Sequence, residues 1–235
     1  MNGPPDASRF PNESDEYRRA RNALLEAEKE LRRQVEAVAA HRRELPLGGE
    51  VKQDYPFDEW DTSVGSVRPV RLSELFENGK DTLFLYNFMF KPGPQGPVEV
   101  PCPDCTSIID GVDGAVPHLR QHINFGVVAK APAERFTAHA HARGWRHARL
   151  LSSRKTTFNA DYRAEGTDEE QFPVAHVFVR RDGRIHHFWS SELGMVPPEP
   201  GQYPRHVDFM WPLWGILDRT PGGRGGDWMP SLEYR

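Results

Sequence analysis

The sequence predicts an α/β protein, a central mixed sheet flanked by helices with a long N-terminal helix, and three stretches predict it. Thr82 to Phe90 is aromatic and aliphatic except for Thr82 and Asn87. It is dense in β-formers and too short for a membrane span, so it reads as a buried strand. Ile123 to Ala129 is a second such run, and the segment between them carries Ile108, Ile109, Val112, Ala115 and Val116, enough for a short, Gly-interrupted helix. Strand, helix, strand implies a parallel pair joined by a right-handed crossover. Finally, Val174 to Val179 and Ile185 to Trp189 flank Asp182-Gly183, the signature of a β-hairpin.

In chain order, residues 1–11 are rich in Pro, Gly and polar groups and are expected to be disordered. Asn12 or Ser14 can cap a helix with Glu13, Asp15 and Glu16 near its first turn. That helix is expected to run to Leu45, where Pro46 and Gly48-Gly49 end it, giving an arm over 12–45 and a main domain over 46–235. Tyr17, Leu24, Leu31 and Val38 recur every seventh residue, with Ala20 and Ala27 three after the first two, a narrow apolar seam. Segment 13–44 otherwise carries eight acidic and eight basic residues, a solvated face with ion-pair support. The seam fits either a helix packed on its own domain or an arm that forms a homodimer.

Residues 50–70 read as extended and irregular, anchored by Tyr55, Phe57 and Trp60, and Leu72 to Phe76 as one helical turn. The stretch 91–101 holds four prolines and two glycines and reads as a surface loop. Pro132 to Arg143 is a helix opened by proline and stopped by Gly144. Arg149 to Ser152 is a short strand, 153–172 a polar loop, and His206 to Leu217 a last helix kinked near Pro212. Trp228, Met229, Leu232 and Tyr234 imply that the Gly-rich tail docks.

The first strand delivers the only two cysteines to one place, Cys102-Pro103-Asp104-Cys105, at a helix start. Unpaired N–H groups and the helix dipole stabilise a thiolate there, so Cys102 is the expected nucleophile. Cys105, one turn further in, is placed to resolve a mixed disulfide on Cys102. Pro103 suits a first turn, where a missing N–H costs nothing. Asp104 opposes a neighbouring thiolate, which predicts a milder pKa depression and a less oxidising couple. Two rival readings use the same cysteines. Cys102, Cys105, His118 and His122 have zinc-finger spacing, Cys-x2-Cys-x12-His-x3-His, although Gly111, Gly114 and Pro117 interrupt the helix a finger needs. The pair can also be two inert buried thiols. His139, His141, His176, His186 and His187 show no ligand spacing tied to a carboxylate, and Lys130 reads as solvated.

At 235 residues with a net charge of −4, from 30 basic and 34 acidic side chains, the chain can bury a full core and shows no nucleic-acid or anionic-membrane surface. Two cysteines make no secreted disulfide framework, and the first residues lack the basic patch and apolar run of a signal peptide. A reducing, cytoplasmic compartment is the expectation.

Strand, Cys-x-x-Cys helix, strand, helix, proline-led hairpin, helix is the order of elements in the thioredoxin fold. The chain further resembles an uncharacterised bacterial thioredoxin-like family, domain of unknown function family 899, grouped with alkyl hydroperoxide reductase and thiol-specific antioxidant proteins. The matching residues are Leu24 to Leu31, Tyr86 to Phe90, Cys102 to Thr106, Asp113 to Leu119, Lys130 to Pro132, Phe158 to Tyr162, Asp218 to Pro221 and Asp227-Trp228. The resemblance implies a thioredoxin-like fold and a cis Phe172–Pro173 bond beside Cys102, with Phe172, Pro173, Pro103 and Asp104 meeting an extended client. Two departures qualify it. Peroxiredoxins place Thr three before the peroxidatic Cys, where this chain has Glu99, and thioredoxin has an aromatic residue where this chain has Pro101. The reading is a thiol–disulfide oxidoreductase needing no cofactor or metal and acting on a protein or small-molecule disulfide. The alternatives are a non-enzymatic binding module, the zinc site and a peroxidase.

Overall fold

The computed structural model describes residues 9–93, 96–168, 170–200, 210–220 and 230–232. Expectations about residues 1–8, 206–209 and most of the C-terminal tail lie outside these. The chain divides into two units, Met1–Pro46 and Leu47–Arg235. The first is built on helix α1 (Asp15–Arg43), which Ser14 caps by accepting the Tyr17 N–H at 3.1 Å. Acidic Asp15 and Glu16 open it, and His41, Arg42 and Arg43 close it, as the helix dipole favours. Ion pairs such as Lys29–Glu26 and Arg33–Glu30, each 2.7 Å, line its polar face.

The second unit contains strands β1 (Pro56–Asp61) and β2 (Ser66–Arg71), a 3-10 turn at Leu72–Leu75, and β3 (Thr82–Phe88). Next come β4 (Phe90–Gly93), β5 (Gly96–Pro101), α2 (Pro103–Val112), a 3-10 turn at Asp113–Ala115, and α3 (Val116–Leu119). They are followed by β6 (Asn124–Ala129), α4 (Ala133–Arg143), β7 (Arg149–Ser152) and α5 (Phe158–Asp161). The chain continues through β8 (Ala175–Arg181), β9 (Arg184–Ser190), a 3-10 turn at Glu192–Met195 and α6 (Pro212–Leu217). Seven strands form one sheet in the order β2-β1-β7-β6-β3-β8-β9. Within it β6 is parallel to β3, β8 antiparallel to β3, and β9 antiparallel to β8. With α2 and α4 as connections, this block has the thioredoxin-like topology that the order of elements predicts, extended by β7, β1 and β2.

Alternation along β3 builds two cores. Tyr86 and Phe88 join Val127, Ala129, Phe136, Cys105, Ile108, Ile109 and Trp214 on one face. Leu83 and Leu85 join Val128, Leu151, Phe178, Tyr55, Phe57 and Phe158 on the other. The β8–β9 hairpin closes with Asp182 and Gly183 at φ 50° and 77°, the left-handed pair of a two-residue turn. Beyond β9, residues 48–51 cover the outer edge of the sheet. Gly48 N–H donates to His187 O, His187 N–H to Gly49 O and Val51 N–H to Ile185 O, each at 3.0 Å. A Cβ at Gly48 would stand 2.5 Å from His187 O, so the approach requires glycine.

Four expectations are corrected. Residues 50–70 contain the β1–β2 hairpin, hidden in the sequence by charge: Glu59, 9% exposed, is held by Arg149 and Arg68. The stretch 91–101 is paired as β4 and β5 rather than free loop, because in a two-stranded ribbon every strand is an edge and tolerates proline. The 153–172 segment includes α5, with Phe158 and Asn159 buried. Pro212 opens α6 at its first turn instead of kinking a longer helix.

The turn after α2 is fastened by one carboxylate. Asp113, 6% exposed, accepts from the N–H groups of Arg146 (2.9 Å), His147 (3.1 Å) and Ala148 (2.9 Å), fixing the chain that enters β7. Asp113→Ala leaves three N–H groups without their acceptor and should lower stability by about 3 kcal/mol or more in urea titration. A loss below about 1 kcal/mol would show that water replaces the carboxylate.

Candidate active site

Both cysteines sit where β3, β5 and α2 meet. Pro101 pairs with Phe90, and Cys102 N–H donates to Met89 O at 3.0 Å, so the start of α2 is tied to the segment just beyond β3. Cys102 is the N-cap, with extended φ −65° and ψ 125°, and Pro103 takes the first helical position. The Cys102 carbonyl accepts from Thr106 N–H at 3.0 Å and from Thr106 Oγ1 at 2.9 Å. Cys102 is 6% exposed and Cys105 fully buried, both as free thiols. Pro103 is exposed and Asp104 half-buried beside them.

The environments drive the two sulfurs apart. A hydrogen bond from the Cys105 side chain, aided by backbone N–H groups of Cys105 and Asp104, lowers the Cys102 pKa to about 7 against burial and the Asp104 charge. Burial pushes the Cys105 thiol well above its ordinary value, and Cys102 adds to this. Asp104 itself is raised by burial, with Lys91 pulling the other way.

Two neighbours were not assigned to the cysteine site from the sequence. Tyr86, buried in β3, donates its hydroxyl to Cys105 Sγ at 3.4 Å. Its position on the same side of β3 as Phe88 was legible from alternation, but its hydroxyl had no visible partner. His139 Nε2 lies 3.2 Å from Thr106 Oγ1, edge-on to Trp145 at 5.3 Å and beside Phe88. Its spacing to the cysteines gave no signal. Trp211 Nε1 donates to Ser107 Oγ at 2.9 Å, and its ring lies 4.7 Å from that of Trp214 at a tilt of 55°, docking α6 on α2.

Phe172 and Pro173 lie between Gln171, bonded to Phe90, and Val174, whose carbonyl accepts from Asn87 N–H at 2.8 Å, at the carboxyl end of β3. Among the described residues no peptide bond is cis, so the Phe172–Pro173 bond is trans, contrary to expectation. Trans is the lower-energy state of an X–Pro bond, and the pairing just before Pro173 accommodates it. Phe172 N–H donates to Ala164 O at 2.9 Å, and Gln171 brackets Phe90 through Phe90 N–H (3.1 Å) and O (2.7 Å). The chain thus reaches β8 in extended form, and the Phe172 N–H is committed within the protein rather than open to a client. His118 and His122 are exposed while both cysteines are buried, and among the described residues no three His, Cys, Asp or Glu groups converge to hold a metal. Lys130 is paired with Glu165.

The chain matches, over residues 7–234, the family described as "Bacterial protein of unknown function (DUF899)". No curated protein matches it. Among solved structures it is similar to thioredoxin peroxidase I of Plasmodium yoelii at 15% identity, covering 81% of this chain and 99% of that one, with a TM-score of 0.43. It is also similar to the reduced 2-Cys peroxiredoxin of Plasmodium vivax at 18% identity, covering 72% and 97%, with a TM-score of 0.41. Peroxidoxin BcpB of Mycobacterium tuberculosis gives 18%, 72%, 95% and 0.41 for the same measures.

The split between the sulfurs is directly measurable. Because only the thiolate reacts, alkylation of Cys102 should rise with pH to half its limit near pH 7, whereas Cys105 should stay unreactive until well above the range of a free thiol. Mass mapping of the modified residue across pH reads both. Earlier reaction at Cys105 would reverse the assignment.

Proposed function

The chain belongs to the DUF899 family of bacterial proteins, and from the placement of its two cysteines we propose that it is a thiol–disulfide oxidoreductase. The observation that carries this reading is the asymmetry of the pair: an acidified sulfur at the cap of α2, and a second, fully buried sulfur hydrogen-bonded to it. Cys102 as thiolate attacks one sulfur of a disulfide R–S–S–R, forming Cys102–S–S–R and releasing one R–S⁻. Cys105 then attacks Cys102 Sγ, the Cys102–S–R bond breaks, and the second R–S⁻ leaves. The proton lost by Cys105 and one from solvent convert both leaving groups to thiols. The substrate gains two electrons and the dithiol loses two.

Pro103 and Asp104, at the surface of α2 next to Cys102, are the side chains we assign to the incoming substrate. The Asp104 charge works against the Cys102 thiolate and so disfavours a strongly oxidising couple. Among the described residues no helix is long and apolar enough to cross a membrane. A reducing cytoplasm suits a chain whose two cysteines form a Cys-x-x-Cys pair, which there is more often catalytic than structural. The apolar seam of α1, repeating every seventh residue from Tyr17 to Val38, suits self-association with the same helix of a second chain.

The test is a trap. Cys105→Ser should retain attack by Cys102 and accumulate a stable mixed disulfide with a small aryl disulfide, at one equivalent per chain, whereas the native protein should end as an internal disulfide with no adduct. A native chain that forms no internal disulfide at any potential would leave the binding-module reading in its place.

A further inference from the structure

We propose that Tyr86 is a catalytic residue of the resolving step, its hydroxyl holding Cys105 as a thiolate while that sulfur attacks or departs. This rests on the oxidoreductase reading above. Cys105 is fully buried among apolar side chains, where a charged sulfur is disfavoured. The side chains hydrogen-bonded to its sulfur are Cys102 and Tyr86. The bond between the two sulfurs runs from the Cys105 thiol to Cys102, so Cys102 supplies no donor to a Cys105 thiolate. Tyr86 is then the side-chain donor that remains, with the Met89 backbone N–H beside it.

The choice of tyrosine is informative. A buried phenol costs free energy unless its O–H finds a partner. A neutral thiol is a weak acceptor, so the 3.4 Å contact to Cys105 is a poor bond in the resting protein. When Cys105 ionises, the same contact becomes a charge-assisted bond. The interaction is therefore stronger in the reacting state than in the ground state, which is the condition for accelerating a step. Burial holds the Tyr86 pKa well above its ordinary value, so the group donates a hydrogen bond and keeps its proton. In the resolving step the Cys105 proton goes to solvent and on to R–S⁻. The Cys105–Cys102 bond forms as Cys102–S–R breaks, and the Tyr86 O–H bond stays intact throughout.

The titratable groups facing Cys105 are Cys102 at the cap of α2 and Tyr86 from β3, with Asp104 acting on both of these and His139 from α4 reaching the site through Thr106. A chromogenic aryl disulfide separates the steps, because the first coloured thiolate reports attack by Cys102 and the second reports resolution by Cys105. In Tyr86→Phe, which removes only the hydroxyl, the second phase should slow about tenfold relative to the first, and its pH midpoint should rise by about one unit. Replacing tyrosine throughout by a ring-fluorinated tyrosine keeps volume and hydroxyl while making a stronger donor, and should move that midpoint down. An unchanged phase ratio and midpoint in either protein would overturn the role of Tyr86. A native protein that gives no second phase at any pH would overturn the oxidoreductase reading, and this role with it.

Discussion

A strand buried on both faces and flanked on both edges must satisfy each of its backbone groups within the sheet, and β3 does so through β6 on one side and β8 on the other. The parallel pairing with β6 forces the chain to cross back over one face, and α2 and α3 are the crossover. Because the β4–β5 ribbon brings the chain back to the end of β3 before α2 begins, the start of α2 is delivered to the carboxyl edge of the sheet, the place where α/β proteins put their chemistry. The bond from Cys102 N–H to Met89 O fixes the distance between strand end and helix cap, and Asp113 fixes the far end of the crossover against the entry to β7.

The same constraint separates the two sulfurs. A residue at the cap of a helix meets N–H groups that lack partners, and a residue one turn in faces the core. Cys102 gains from the first situation and Cys105 loses by the second, so a three-residue offset along one helix yields two thiols of opposite tendency. Asp104 lies between them in sequence and works against the gain. Thr106, bonded twice to the Cys102 carbonyl, keeps the cap from drifting, and His139 approaches the same hydroxyl from α4.

How much of this was legible depends on which signal each residue carries. The β3 and β6 runs, the Asp182-Gly183 turn and the Gly144 stop are stated by composition and backbone preference, and all four appear in the fold. The β1–β2 hairpin was not, because its pattern is broken by Glu59, and a buried carboxylate is recognisable only once Arg149, ninety residues away, arrives beside it. The β4–β5 ribbon was obscured by prolines that read as loop. The expected cis proline came from resemblance rather than from any residue nearby, and the bond is trans, which the pairing of Phe172 with Ala164 accommodates. Tyr86 was visible as a core aromatic, but what distinguishes it from phenylalanine is a contact with Cys105, nineteen positions later.

Strands from another chain add to a sheet only where a row of N–H and C=O groups stands open. At β9 residues 48–51 have taken that row, with glycine where the backbones come closest. At the opposite margin β2 carries Pro69, which has no N–H to give, between the charges of Arg68 and Arg71. Both margins are therefore poor templates for edge-to-edge polymerisation. Within reach of the helix cap, the strands that keep a free side are those of the two-stranded β4–β5 ribbon, whose Pro101 directly precedes Cys102.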